Sequence, residues 1–195
     1  MTSRRIWLTG DPAADDLLST DDNALLLGMV LDQQVAMEKA FAGPAVIARR
    51  MGGRLDVAAI AAMDEDAFVA LCSERPAVHR FPGAMAKRVR QVCQVLVADF
   101  EGEAGNLWRG ATSGAELKRA ITALPGFGPE KATIFVAVLA KQRGVRPPGW
   151  QDAAGDFGQD GYRSVADVVD EESLVEVRKS KRAVKAARKA AATAG

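Results

Sequence analysis

The apolar residues of this chain recur mostly with helical spacing, and only residues 5–8 look like a short extended piece. Residues 24–31 are apolar on nearly every face, which is typical of a buried helix. Residues 85–100 instead place an apolar stripe opposite a basic face, which is typical of a helix lying on a core. Residues 101–114 are rich in glycine and polar residues and predict a loop that carries Trp108. The pattern as a whole predicts an all-α domain.

Two helices joined by a tight turn are predicted between about residues 113 and 143. Ser113 and Glu116 have the spacing of a capping box, which begins the first helix. Residues 124–128, with the sequence Leu-Pro-Gly-Phe-Gly, end it. Pro129 suits the first turn of the second helix because its missing N–H is not needed there. The second helix, residues 131–141, is apolar all round and is expected to be central.

The turn between these helices has the chemistry of an anion site. Free backbone N–H groups point outward at a helix N-terminus, and the glycines let an anion come close to that backbone. A DNA phosphate is a suitable anion. The alternative is a plain connecting turn whose glycines only supply a positive φ. The turn alone leaves both interpretations open.

Composition limits the class of protein. The chain has 195 residues, of which 48% are hydrophobic and 26% charged, so it is expected to form one domain with a sizeable core. No apolar run approaches the ~20 residues that cross a bilayer, and the N-terminus lacks the apolar region of a secretory signal. We therefore expect a monomeric cytoplasmic protein without a membrane partner, associated with the nucleoid if it is bacterial.

Cysteine and histidine are scarce. Cys72 and Cys93 are too few for a disulfide framework, have no CxxC spacing and are expected to be core thiols. His79 is the sole histidine, which argues against a histidine metal site or a Ser-His-Asp triad. Catalysis would then depend on carboxylates, a lysine or a tyrosine.

Basic charge is concentrated at the end of the chain. Residues 171–195 contain seven Lys or Arg and three Glu, a net +4 in a chain whose total is +1. We therefore divide the chain into a helical domain, residues 1–170, and a basic C-terminal helix or tail, residues 171–195. Such a tail either neutralises phosphates or is simply a solvated helical face.

Two motifs resemble a known family. Residues 124–128, followed by an apolar helix and a Gly/Pro-rich segment with acids, resemble the helix-hairpin-helix GPD (HhH-GPD) superfamily of base-excision DNA repair glycosylases, which includes endonuclease III and adenine glycosylase. Residues 30–36, Val-Leu-Asp-Gln-Gln-Val-Ala, are similar to the Leu-x-x-Gln-(Thr/Ser) stretch of that family. The resemblance covers about residues 22–170 and implies the all-α helix-hairpin-helix DNA glycosylase fold, with damaged double-stranded DNA as the partner.

The resemblance also implies roles for individual residues. Such enzymes extrude the target nucleotide from the duplex, and Gln34 would be the wedge that fills the gap. The carbonyls of Leu124 and Phe127 would hold a monovalent cation, and no other cofactor is expected. The residues implied to contact DNA are Gln34, Pro125, Gly126, Phe127, Gly128 and Lys131.

The family places an essential aspartate after the second hairpin helix. Asp152 is favoured by counting forward from the hairpin and Asp156 by counting back from Tyr162, with Asp160 third. The alternative is that these acids only cap helices or solvate a loop. Trp150, beside these acids, would stack on an extruded base.

Two further features of the family differ in this chain. Bifunctional members carry a lysine two residues after the second glycine of the turn, where this chain has Glu130. Lys131 lies one position later, a rotation of about 100° on a helix, so the lyase role is not transferred. The four cysteines of an iron–sulfur cluster are missing, so no cluster is expected.

These observations favour a monofunctional DNA N-glycosylase, a hydrolase that removes a damaged or mismatched base. The main alternative is a catalytically inactive DNA-binding module that recognises damage or backbone. A helical protein-interaction domain with an accidental turn is a third possibility, and salt-dependent duplex binding would separate it from the other two.

The basic tail generates the first prediction. Removal of its charge is expected to lower duplex affinity and to reduce the slope of log K against log salt, because each lost phosphate contact releases fewer counterions. Filter binding or anisotropy at several salt concentrations measures both quantities. An unchanged slope would remove the tail from the DNA interface.

Overall fold

A computed structural model describes residues 5–193 of the chain. About 68% of the structure is helical and no β-strand occurs among the described residues, which confirms the predicted all-α class. Residues 5–8 are irregular, with Ile6 and Leu8 buried. The first four residues of the predicted domain and the last two of the predicted tail lie outside the described part.

Eleven α-helices and two short 3₁₀ helices follow one another within residues 5–193. The 3₁₀ helices are Gly155–Gly158 and Val165–Asp167. The α-helices are α1 (Pro12–Thr20), α2 (Asp22–Leu31), α3 (Met37–Arg50), α4 (Val57–Ala62), α5 (Glu65–Ser73), α6 (Pro82–Asp99), α7 (Ala104–Arg109), α8 (Gly114–Thr122), α9 (Pro129–Gln142), α10 (Trp150–Ala154) and α11 (Glu171–Thr193).

Helix α2 is at the centre of the core, as its uniform hydrophobicity predicts. Asp21 begins it by accepting the N–H of Ala24 at 3.1 Å, and every residue from 23 to 31 is buried. Helix α3 packs closely on it because Gly28 leaves room for the ring of Phe41. A Cβ on Gly28 would lie 2.6 Å from Cδ1 of that ring.

The loop predicted for residues 101–114 is wrong in its middle, where the chain forms α7. The N–H of Ala104 donates to the side-chain oxygen of Asn23 at 2.7 Å, and the amide nitrogen of Asn23 donates to the carbonyl of Gly102 at 3.0 Å. Trp108 is buried edge-on against Phe135, with ring centroids 6.1 Å apart. This helix is organised by α2, about 80 residues away, and therefore carries little local signal.

The predicted hairpin is confirmed as α8, a turn and α9. Ser113 accepts the N–H of Glu116 at 3.2 Å, as a capping residue does. The Glu116 carboxylate bonds the N–H of Thr112 at 2.9 Å, one residue earlier than a capping box requires. Helix α9 is central, since all residues from 135 to 140 are buried.

The start of α11 belongs to the core. Leu174 and Val177 are buried, and Arg178 forms an ion pair with Glu38 of α3. Cutting the chain after Asp170 would therefore remove core residues. Replacing the exposed Arg182 and Lys185 by glutamine is the cleaner way to remove tail charge.

Two smaller observations complete the fold. Cys72 and Cys93 are buried free thiols, as predicted, and burial raises the pKa of each to about 12. Among residues 5–193, none of the helices is both long and apolar enough to span a membrane.

The α2–α3 contact generates the second prediction. Gly28→Ala is expected to destabilise the protein by about 1–3 kcal/mol, because the added methyl must displace a buried aromatic ring. Gly83→Ala in α6 is the matched control, since its nearest atom to the new Cβ is 3.8 Å away. Urea denaturation of both variants measures the difference. Equal midpoints for the two variants would contradict the close packing of α2 on α3.

Candidate nucleic-acid interface

The hairpin turn and the Gln33–Gln34 segment, far apart in sequence, come together on one side of the molecule. The Nζ of Lys131 in α9 donates to the carbonyl of Val30 in α2 at 2.9 Å. The guanidinium of Arg88 in α6 donates to Oε1 of Gln33 at 3.1 Å and packs over Gly126. These two contacts join the predicted phosphate-binding turn to the predicted wedge.

The turn is closed by its own backbone. The N–H of Phe127 donates to the carbonyl of Leu124 at 3.1 Å, and the Phe127 ring is buried against Phe135 at 5.8 Å. A carbonyl oxygen has two lone pairs, so one on Leu124 is left for a cation. The turn therefore fits the predicted monovalent ion as far as this oxygen is concerned, and the ion stays a prediction.

The two glycines of the turn have different surroundings. Gly126 has a φ of 83°, and a Cβ there would collide with Cδ of Arg88. Gly128 begins α9 at a φ of −94°, and a Cβ there would have no atom within 4 Å. Side-chain packing therefore explains Gly126, whereas the open backbone at Gly128 is where an anion can approach the N–H groups of α9.

The segment before α3 holds one glutamine and exposes the next. The buried His79 accepts the N–H of Phe81 on Nδ1 at 3.0 Å, so its Nε2 carries the proton and donates to the carbonyl of Gln33 at 2.9 Å. Burial lowers the pKa of His79, which keeps this ring neutral. Gln34 is exposed and has a φ of 57°, an uncommon conformation for a residue with a side chain.

Lys131 points toward the end of α2. Its amine lies 5.5 Å from the centre of the Phe127 ring. Burial lowers the pKa of Lys131 to about 8, nearby Arg88 lowers it further, and Asp32 opposes both effects. The side chain that the family pattern leaves one position out of place is therefore enclosed between the hairpin and α2.

The structure separates the two leading catalytic candidates. Asp156 lines a cleft between α9 and α11 that also contains Glu130 of the first turn of α9. Asp152 instead lies along a groove beside Lys118 and Arg119 of α8. Both side chains are exposed. Asp156 is thus near the turn end of α9, and Asp152 is not.

Trp150 is also far from the turn. The carbonyl of Pro148 accepts the N–H of Gly114 at 2.8 Å, so the start of α10 is docked on the start of α8, opposite the turn. Trp150 is half-buried there, with the guanidinium of Arg146 5.8 Å from its ring. Its stacking role stays a prediction, and the structure does not bring Trp150 together with Gln34.

Two residues of this interface were not predicted from the sequence. Arg88 belongs to a basic helix face, and nothing in its spacing distinguishes it from its neighbours. Phe81 is 45% exposed beside His79, with the guanidinium of Arg80 4.9 Å from its ring centre. An aromatic residue directly before the proline that begins a helix was the available signal.

Comparison with known families now identifies the class. The sequence matches the family of HhH-GPD superfamily base excision DNA repair proteins over residues 27–193. The chain belongs to this superfamily, which confirms the resemblance inferred from the two motifs and implies a role in base excision DNA repair. Comparisons with curated proteins and with solved structures give no match.

The unequal glycines generate the third prediction. Gly126→Ala is expected to lower stability by about 1–3 kcal/mol, because it adds backbone strain and displaces Arg88. Gly128→Ala should fold with wild-type stability and bind duplex DNA more weakly, since its methyl group projects toward the anion. Thermal unfolding and fluorescence anisotropy measure the two effects. Equal losses of stability in both variants would contradict the distinction.

Proposed function

We propose that this protein is a monofunctional DNA N-glycosylase that extrudes a damaged or mismatched base and removes it by hydrolysis. The observation that carries the proposal is the junction of the hairpin turn with the Gln33–Gln34 segment, through the Lys131–Val30 and Arg88–Gln33 hydrogen bonds. A protein that extrudes a nucleotide must grip the backbone and fill the vacated space at one place.

The backbone grip would come from the first turn of α9. Its unpaired N–H groups and the positive end of the helix dipole favour a phosphate, and Gly128 leaves that approach open. Pro125, Gly126 and Phe127 would shape the turn. A monovalent cation on the Leu124 and Phe127 carbonyls would add positive charge beside the phosphate.

The wedge would be Gln34. Its neighbour Gln33 is held at the backbone by His79 and at the side chain by Arg88, so the loop is anchored while Gln34 projects into solvent. Its positive φ is a small store of strain, and such strain is often found at functional positions. An exposed amide on an anchored loop is suited to replace a missing base.

A carboxylate would then assist the cleavage of the bond between base and sugar. Asp156 is the first candidate because it shares a cleft with the start of α9, and Asp152 is the second. The carboxylate would stabilise the positive charge that develops on the sugar or activate the attacking water. Trp150 would stack on the base only if the extruded nucleotide reaches α10.

Lys131 supports monofunctional chemistry by its orientation. Its amine is hydrogen-bonded to the Val30 carbonyl, and it does not line the cleft that contains Asp156. The lowered pKa would make the free amine available more readily than in an exposed lysine. Strand cleavage is therefore scored together with base release in the experiment below.

A non-catalytic DNA-binding module is the competing function. The observation that favours it is the exposure of both Asp152 and Asp156, because a solvated carboxylate stabilises a developing charge less than an enclosed one does. The interface would then recognise a damaged duplex without acting on it.

The fourth prediction tests these functions together. Duplexes that carry an alkylated purine, an oxidised base, uracil or a mismatched adenine are incubated with the wild type, Asp156→Asn and Asp152→Asn. We expect free base from at least one duplex and a loss of about 10²–10⁴-fold in rate for Asp156→Asn. Asp99→Asn is the matched control, since Asp99 is exposed at the far end of α6.

The outcomes separate the alternatives. Duplex binding without base release from any lesion would favour the non-catalytic module. A rate loss in Asp152→Asn alone would transfer the catalytic role to that residue. A strand break, or a covalent complex trapped by borohydride and lost in Lys131→Met, would overturn the monofunctional assignment.

A further inference from the structure

Charged groups from four helices converge where α2 ends. Asp32 caps this helix, and its backbone N–H bonds the carbonyls of Gly28 and Met29. The amine of Lys131 reaches the same helix end from α9 through Val30. The other charged groups that face Asp32 are Lys181 of α11 and Glu38 of α3.

An acid at this position conflicts with the stability of the fold. The C-terminal end of a helix carries partial negative charge, which favours cations such as Lys131 and disfavours a carboxylate. Asp32 is also half-buried, and burial disfavours its charged form. Accordingly burial raises the pKa of Asp32, Glu38 raises it further, and Lys181 and Lys131 oppose them. Such local conflicts are expected at functional sites.

The position of Asp32 gives this conflict a purpose. Asp32 lies two residues before Gln34 on the anchored loop, so a nucleotide displaced by Gln34 would have its sugar near this carboxyl group. Lys181, the cation that acts most strongly on Asp32, also lines the cleft that contains Asp156. Asp32 and Asp156 therefore lie on opposite sides of one lysine.

We propose that Asp32 is a further catalytic carboxylate, acting on the extruded nucleotide from the side of the wedge, with Lys131 as its positioning partner. This assignment rests on the proposed glycosylase function. The bond between the sugar C1′ and the base nitrogen breaks, and its electron pair leaves with the base. Water forms the new C1′–O bond and gives a proton to Asp32, which passes it to the departing base.

Asp32→Asn is the central test, because it keeps the shape and removes the proton acceptor. We expect single-turnover base release to fall by about 10²–10⁴-fold, with the Kd for duplex unchanged. The wild-type rate should decline on the acid side at a pH above the ordinary range of aspartate, and Asp32→Glu should recover part of the rate. Asp16→Asn, at an exposed ion pair with Arg5, is the matched control.

Stability distinguishes a catalytic role from a structural one. The raised pKa means that the folded state binds the proton of Asp32 more tightly than the unfolded state does, so the ionised group destabilises the fold at neutral pH. Asp32→Asn should therefore have a Tm equal to or above that of the wild type. A lowered Tm together with a lowered rate would indicate a structural residue and overturn the proposal.

A measurement without activity tests the pairing. The amine of Lys131 is titrated by NMR in protein labelled with ¹³C-lysine, with the signal assigned by its absence in Lys131→Met. Asp32→Asn should lower the pKa of Lys131 below its value of about 8, because the negative charge that raises it is gone. An unchanged titration would overturn the pairing.

Failure of the proposal and failure of the proposed function are distinguishable. A wild type that releases base while Asp32→Asn matches its rate would overturn the role of Asp32 alone. A wild type that releases no base from any duplex would overturn the glycosylase function and, with it, the catalytic role of Asp32.

Discussion

The hydrogen bond from the Lys131 amine to the Val30 carbonyl ties the two functional segments of this protein to each other. It joins α9 to the end of α2, two helices that are buried along most of their length. Because both helices are fixed by the core, the turn before α9 and the loop after α2 are also fixed relative to one another. Arg88 adds a second link between Gly126 and Gln33, so the interface is rigid without a bound partner.

Much of the fold follows from patterns that are visible in the sequence. The uniform apolar run of α2, the capping signal of Ser113 and the Leu-Pro-Gly-Phe-Gly turn are local features, and each has the structure that it predicts. Helix α7 escaped because its first N–H groups are satisfied by Asn23, a partner about 80 residues away. Local periodicity cannot reveal an end cap that another helix supplies.

The candidate site was less predictable than the fold, for a related reason. Motifs point to Gln34 and the turn, since those residues act through backbone conformation and spacing. Arg88, Lys131 and Asp32 acquire their properties from neighbours on other helices, and their spacing in the sequence carries no sign of this. The separation of Asp152 from Asp156 likewise depends on the path of the chain back along α9, which returns toward the turn only after residue 155.

The physical tension in this site lies in its charge. A helix end that already repels anions carries a half-buried aspartate, and the fold compensates with two lysines from separate helices rather than with a direct ion pair. A close pair would stabilise the carboxylate but also occupy its oxygens. Cations that act at a longer distance keep the group charged while they leave its oxygens available. The same arrangement explains the lowered pKa of Lys131, because an amine enclosed to serve a nearby acid is itself desolvated.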